Sequence, residues 1–229
     1  MALRTGGFHD GELHAQQHAG VAAEAQRLAG MLTEPNISGG MSGFIAEREL
    51  AFLTAEDRDG RLWTSPVFGP RGSFVGIGRR LGMARTPADG DPLQELRPGQ
   101  SVGALLVDFD RRRRLRVNGV VDRYGPDGLG IEVEQAFGNC PRHITPRPAS
   151  TVDDLDESAD TVRRFTRLEP EDIAQITAAD TFVLGTLHPQ HGAPPTGAAI
   201  RGSCGAPTAS CGGPTTSATT CSTAWATSS

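Results

Sequence analysis

The sequence predicts a mainly β (α+β) domain, a small antiparallel barrel that is closed or partly closed and follows an N-terminal helix. Two observations support this class. From Glu49 onward, apolar residues occur in short runs separated by turn residues, which is typical of strands in hairpin succession. Residues 9–32 instead carry apolar side chains at three- and four-residue spacing, which indicates an amphipathic helix.

The first predicted hairpin joins ELAFLTA to RLWTSPVFG, with Asp59 and Gly60 in the turn because Gly accepts a positive φ. GSFVGI is predicted to be a third strand. The segment TPADGDPLQELRPG is predicted to form a loop and a short helix.

Two longer strands are predicted next, SVGALLVDFD and its partner RRRRLRVNGVVDRYG. Alternation along the partner places Arg116, Asn118 and Val120 on one face. The arginine run at residues 111–114 is interpreted as a solvated hairpin corner, with a patch for an anionic partner as the alternative. GLGIEVEQAFGN is predicted to pass from strand to helix.

Composition limits the function classes. An apolar content of 37% supports a core, and no run approaches the roughly 20 apolar residues of a membrane-spanning helix. The N-terminus lacks the apolar stretch of a signal peptide, so a cytoplasmic protein is expected. A net charge of −5 gives no general attraction to nucleic acid or acidic lipid. Because all 22 basic residues are arginine, any anion bound by a side-chain cation must be bound by Arg.

No metal site is predicted. The chain has four cysteines, Cys140, Cys204, Cys211 and Cys221. They show no CxxC spacing and no nearby histidine. The four-residue gap between His14 and His18 suits a metal, but a solvated helix face is favoured because no third ligand is in sight.

Shifts in composition divide the chain into five segments: an N-terminal helical segment (1–40), a first barrel copy (41–144), a linker (145–170), the start of a second copy (171–192) and a tail (193–229). The second copy is inferred because QITAADTFVLGTLHPQHG repeats the layout of FIAERELAFLTAEDRDG. Only one strand of that copy is predicted.

Three stretches carry a resemblance to a known family. They are FHDGELHAQQHAGV with AQRLAGML, FIAERELAFLTAEDRDGRLWTSPVFG with DPLQELRPGQSVGALLVDFDRRRRLRVNGVV, and GIEVEQAFGNCPRHI. Together they resemble the duplicated FMN-binding split-barrel proteins related to pyridoxamine 5'-phosphate oxidase. The resemblance covers most of residues 8–192 and implies a split β-barrel whose second copy is incomplete here.

The resemblance also implies a cofactor, partners and a site. In such barrels FMN lies in a groove at a dimer interface, so a homodimer, FMN and a small-molecule redox substrate are expected, with no nucleic acid or membrane partner. The corresponding cofactor-binding residues are Thr64, Ser65, Val67, Arg71 and Arg116. The alternative for Thr64 and Ser65 is that they are ordinary strand residues. No catalytic residue is identified.

The tail does not continue the family pattern. Residues 193–229 contain eight Thr, six Ser and three Cys, a composition typical of a disordered segment. Read in a displaced frame, however, the tail can encode segments such as GHPGFV and GNNMFN, which resemble the missing second copy. We therefore hypothesise a frameshift near codon 192. Because the second barrel copy is then incomplete, this hypothesis predicts impaired flavin binding.

Two functions are thus expected. The first is an FMN-binding flavoprotein of oxidoreductase type, since the flavin itself carries the redox chemistry. The alternative is a flavin-free split-barrel module for ligand binding or interaction, or a nonfunctional truncated product.

Overall fold

The computed structural model describes residues 8, 10–29, 35–138, 144–146, 167–179, 181 and 183–187. Its helices are α1 (Asp10–His18), α2 (Ala22–Leu28), α3 (Gly40–Ala46) and α4 (Pro170–Ala178). Its strands are β1 (Leu50–Glu56), β2 (Leu62–Phe68), β3 (Phe74–Ile77), β4 (Arg80–Met83), β5 (Ser101–Asp108), β6 (Arg113–Gly125) and β7 (Gly128–Gly138).

The strands form one antiparallel sheet of seven strands in the order β2-β1-β5-β6-β7-β4-β3. The predicted mainly β class with few helices is therefore confirmed. The two outermost strands, β2 and β3, are not paired with each other, so the sheet is not closed within the described residues. No helix in this part of the chain is long and apolar enough to cross a lipid bilayer.

The main core lies on one face of this sheet. Side chains from β1, β4, β5, β6 and β7 meet Phe44 and Ile45 of α3 and Ile37 in one buried cluster. Alternation explains the choice of residues, because β1 turns Ala51, Leu53 and Ala55 towards this cluster and the residues between them to the other face.

The predicted β1–β2 hairpin is confirmed, and its turn is organised by Asp57. The Asp57 carboxylate accepts hydrogen bonds from the backbone N–H groups of Asp59 and Arg61 and from Nε1 of Trp63. Desolvation raises the pKa of Asp57, but these hydrogen bonds outweigh it and the pKa is lowered. Gly60 takes the positive φ of 75° that the turn requires.

Several sequence predictions about elements were wrong. The single N-terminal helix is two helices, because the chain takes a positive φ of 69° at Gly20 between α1 and α2. Strand β7 continues to Gly138 without becoming a helix, since Phe137 still pairs with Arg116. The segment before β5 contains turns and no helix, and β4 was missed.

The second barrel copy is only partly described. Residues 181 and 183–187 form no strand, in contrast to the predicted first strand of that copy. Most of the predicted linker and all of the 193–229 tail lie outside the described residues, and so does Cys140.

Candidate functional site

The candidate site lies on the sheet face opposite the main core, called the outer face here. Directly paired residues on neighbouring strands point to the same side, so the pairing register identifies its members. One row across the sheet, the polar row, consists of Thr64, Thr54, Gly103, Asn118 and Gln135. The adjacent row, the apolar row, consists of Pro66, Phe52, Leu105, Arg116 and Phe137.

One end of the polar row is a buried threonine pair. The hydroxyls of Thr54 and Thr64 are 2.8 Å apart and hydrogen-bond to each other. Gly185 lies directly over them, because a Cβ built there would be only 2.5 Å from Cγ2 of Thr54. Since a real Cβ never comes so close, this position accepts only glycine without rearrangement.

The segment that contains Gly185 also covers the apolar row. Val183 is buried in a small cluster with Phe52 and Leu105, and Leu50 and Val107 pack at its margin. Residues 183–187 therefore cover the outer face on β1 and β5.

The middle of the polar row contains a buried amide with unused hydrogen-bonding capacity. Asn118 is 3% exposed, and its Nδ2 donates to Oε1 of Gln135 at 2.9 Å. Its Oδ1 is buried and has no hydrogen-bond partner among the described residues, and the same is true of Oγ1 of Thr181. A buried acceptor without a donor is unfavourable, which marks Asn118 as a position where a ligand donor would be stabilising.

Beside Asn118, the apolar row carries a cation. Arg116 is half-buried, and its guanidinium lies over the ring of Phe137, 5.5 Å from the centroid. A guanidinium held against an aromatic ring keeps its charge and its planar set of donors. The outer face of β6 and β7 thus combines one cation, one flat apolar surface and one unsatisfied acceptor.

The structure places two of the five predicted cofactor residues on the same face of the sheet. Thr64 and Arg116 both lie on the outer face, three strands apart in the sheet order β2-β1-β5-β6. Ser65 and Val67 alternate to the opposite face, where Val67 belongs to the main core. Arg71 lies in the exposed turn after β2, and its Nε is 3.5 Å from Oε1 of Glu49.

Ser65 has a structural partner. Its hydroxyl donates to Oδ1 of Asp91 at 2.7 Å, and the same oxygen accepts the backbone N–H of Leu93. Burial raises the pKa of Asp91 above its ordinary value, and these two hydrogen bonds only partly oppose that effect. Ser65 thereby attaches the loop between β4 and β5 to strand β2.

Sequence reasoning did not select Thr54 and Asn118 as site residues. The signal for Asn118 was present, because alternation had already placed it on the same face as Arg116. The signal for Thr54 was its position opposite Thr64 in the hairpin. The sequence pattern does not indicate that both residues are buried.

Comparison with known proteins gives few matches. No protein-family model matches the chain, and no curated protein matches it. It is similar to two crystal structures of tagged HupZ from Group A Streptococcus. A single-site variant of HupZ shows 22% identity and a TM-score of 0.34 over 45% of this chain and 99% of that chain. The other HupZ structure shows 20% identity and a TM-score of 0.34 over 44% of this chain and 93% of that chain.

Proposed function

We propose that this chain binds FMN and acts as a flavoprotein of oxidoreductase type, with the cofactor held against the outer face of the split-barrel sheet. The observation that carries the proposal is the buried, unpartnered Oδ1 of Asn118 beside the half-buried Arg116. The sequence resemblance to FMN-binding split barrels supports the choice of ligand, and the expected homodimer remains part of the proposal.

The residues of the outer face suit the chemistry of a flavin nucleotide. Its phosphate requires a charge-assisted donor, which Arg116 supplies. Its ring system requires a flat apolar wall, which Phe137 supplies, and polar contacts at the rim. Asn118 Oδ1 would accept one N–H or hydroxyl of the ligand. Of the remaining predicted residues, Thr64 shares this face, while the side chains of Ser65 and Val67 point to the other.

When bound, the flavin supplies the redox chemistry, and the protein supplies binding, orientation and exclusion of water. Residues 183–187 contribute to that exclusion, because Val183 and Gly185 cover Phe52, Leu105 and the threonine pair.

Titration of the full chain with FMN, followed by flavin fluorescence, tests the proposal. Arg116→Gln is expected to weaken FMN binding about tenfold or more, since a charge-assisted hydrogen bond contributes about 1.5–3 kcal/mol. Asn118→Leu is expected to weaken it as well, because it removes the unsatisfied Oδ1; since it also removes the hydrogen bond from Nδ2 to Gln135, circular dichroism establishes that the apo variant is folded.

Arg123→Gln is the matched control, because Arg123 lies exposed on the same strand, β6, and its loss removes the same charge. It should leave FMN affinity unchanged. Saturable binding that responds equally to Arg116→Gln and Arg123→Gln would mean that the outer face is not the site. Absence of FMN binding by the unmodified chain would refute the function itself.

A flavin-free ligand-binding module is the second candidate. The observation that favours it is the closure of the Thr54–Thr64 end of the outer face, where the two hydroxyls satisfy each other beneath Gly185. For this candidate, the purified chain is colourless and FMN does not raise its melting temperature, because a ligand stabilises only the state that binds it.

A further inference from the structure

Strand β7 contains a β-bulge beside Asn118. Asn118 pairs with Gln135, whereas the next pair along the two strands is offset by one residue, so Glu134 is an extra residue of β7. The backbones of β6 and β7 approach closely here, since a Cβ built at Gly119 would collide with the carbonyl oxygen of Glu132. The position beside the bulge therefore accepts only glycine without rearrangement.

The bulge changes which side chains of β7 reach the outer face. Val133 belongs to the main core, and Ala136 packs against the same core. Because strand side chains alternate with period two, residues three apart share a face only when an extra residue intervenes. Gln135 and Phe137 consequently lie on the outer face, where Gln135 pairs with Asn118. Strict alternation from Val133 would instead have turned Gln135 towards the core.

The hydrogen bond between Asn118 and Gln135 has a defined sense. Nδ2 of Asn118 donates to Oε1 of Gln135 at 2.9 Å, and Oδ1 of Asn118 is left buried without a hydrogen-bond partner among the described residues. A side-chain amide carries a donor group and an acceptor atom, so the partner that engages one of them determines which remains available. Because Asn118 is almost fully buried, its amide cannot freely exchange this partner for water.

From this arrangement we infer that Gln135 is a positioning residue that sets the sense of recognition at Asn118. By accepting from Nδ2, Gln135 leaves Asn118 with an acceptor to offer. The outer face therefore selects a ligand group that donates a hydrogen bond, an N–H or O–H, over a carbonyl or an ether, which would leave Oδ1 unpaired. The inference rests on the proposed function, in which FMN binds the outer face, and adds the residue through which Asn118 discriminates.

Replacing Gln135 by residues with a single hydrogen-bonding sense tests the inference. Gln135→Glu places a group that only accepts beside Asn118, so the amide keeps its present sense. Gln135→Lys places a group that only donates there, so it engages Oδ1 and leaves no acceptor for the ligand. The measured quantity is the factor by which Asn118→Leu weakens FMN binding in each background. The charge introduced by Glu or Lys cancels from this factor, because it is present with and without Asn118.

The factor should be about fivefold in the wild type and in the Gln135→Glu background, and close to one in the Gln135→Lys background. Glu132→Lys is the matched control, since Glu132 is exposed on the same face of β7 and is not paired with Asn118. The factor in the Glu132→Lys background should equal that of the wild type. A factor in Gln135→Lys that equals the wild-type value, or one that falls equally in Glu132→Lys, overturns the inference.

The side-chain amide protons of Asn118 test the same inference without FMN. In NMR spectra of the full chain they are identified by their absence in Asn118→Leu. They should exchange slowly with solvent in the wild type and in Gln135→Glu, and faster in Gln135→Lys, because Nδ2 then lacks its acceptor. Equal exchange in all three overturns the inference.

Circular dichroism establishes that each of these variants is folded. A wild-type chain that binds no FMN refutes the proposed function, whereas amide exchange still decides the role of Gln135. The two proposals are therefore refuted separately.

Discussion

Replacing Asp108 by Asn removes one charge from the most buried ion pair among the described residues. The side chains of Arg48 and Asp108 are 9% and 8% exposed, and Nη1 of Arg48 is 2.6 Å from Oδ2 of Asp108. Asp108 also accepts the backbone N–H of Arg111, and Arg48 donates through Nε to the carbonyl of Phe44. The pair therefore joins the β5–β6 turn to the end of α3.

The expected loss of stability is about 2 kcal/mol. Removing one partner of a buried pair costs about 3–5 kcal/mol when the other charge is left uncompensated. The value here should be lower, because Arg48 keeps the Phe44 carbonyl and Glu47 as partners and Asn keeps an acceptor for Arg111. With an m-value of about 2 kcal/mol/M, the urea midpoint should fall by about 1 M.

The dependence on pH has a defined sign. Burial raises the pKa of Asp108, but the hydrogen bonds from Arg111 and Arg48 and their charges outweigh it, so the pKa lies below its ordinary value of 3.8. A carboxyl group with a lowered folded-state pKa contributes stability above the unfolded-state value and loses it as the pH falls through the folded-state value. The difference between wild type and Asp108→Asn should thus be constant at neutral pH and shrink below pH 3.8.

Urea denaturation at neutral pH and at acid pH measures both effects. Asp110→Asn is the control, since Asp110 is the exposed acidic residue two positions along the same turn, and it should change stability by less than about 0.5 kcal/mol. Equal stabilities of Asp108→Asn and Asp110→Asn, or a difference between wild type and Asp108→Asn that grows as the pH is lowered, would refute the reasoning.

Three further substitutions test a helix position, a close contact and a hydrogen bond, each by urea denaturation. Gly43→Ala should stabilise the chain by about 0.5–1 kcal/mol, because Gly43 lies within α3 and nothing is within 4 Å of its added Cβ; a loss of stability would contradict this. Gly185→Ala should destabilise it by about 1–3 kcal/mol through the clash with Thr64, and no effect would mean that residues 183–187 do not cover the outer face. Ser65→Ala should cost about 1 kcal/mol by removing the donor to Asp91, and a neutral result would show that this bond does not hold the loop.

The strands were predictable where turn residues separated short apolar runs or where alternation was clear. The β1–β2 hairpin follows from short strand-like runs on either side of the turn at Gly60, and the faces of β6 follow from the alternation of Arg116, Asn118 and Val120. Strand β4 was missed because RLGM offers only two buried apolar positions, Leu81 and Met83. Its pairing with β7 depends on residues far along the chain, which local pattern does not report.

The site was less predictable than the fold. The pattern of β2 does not say which face of the hairpin is covered, so Thr64 and Ser65 were equal candidates although they point to opposite faces. Burial of the outer face on β1 and β5 comes from residues 183–187, a contact between distant parts of the chain. The arginine run at residues 111–114 was interpreted as a solvated hairpin corner. The contact of the Arg113 guanidinium with the ring of Phe44 depends on α3, which the pattern of the hairpin does not report.

FMN binding by the outer face, as proposed, is tested most directly by the flavin content of the purified chain. The chain should be yellow after extensive desalting and release FMN on denaturation. This FMN content should fall in Arg116→Gln and be kept in Arg123→Gln. A colourless chain that takes up no FMN on reconstitution and gains no thermal stability from it would contradict the claim.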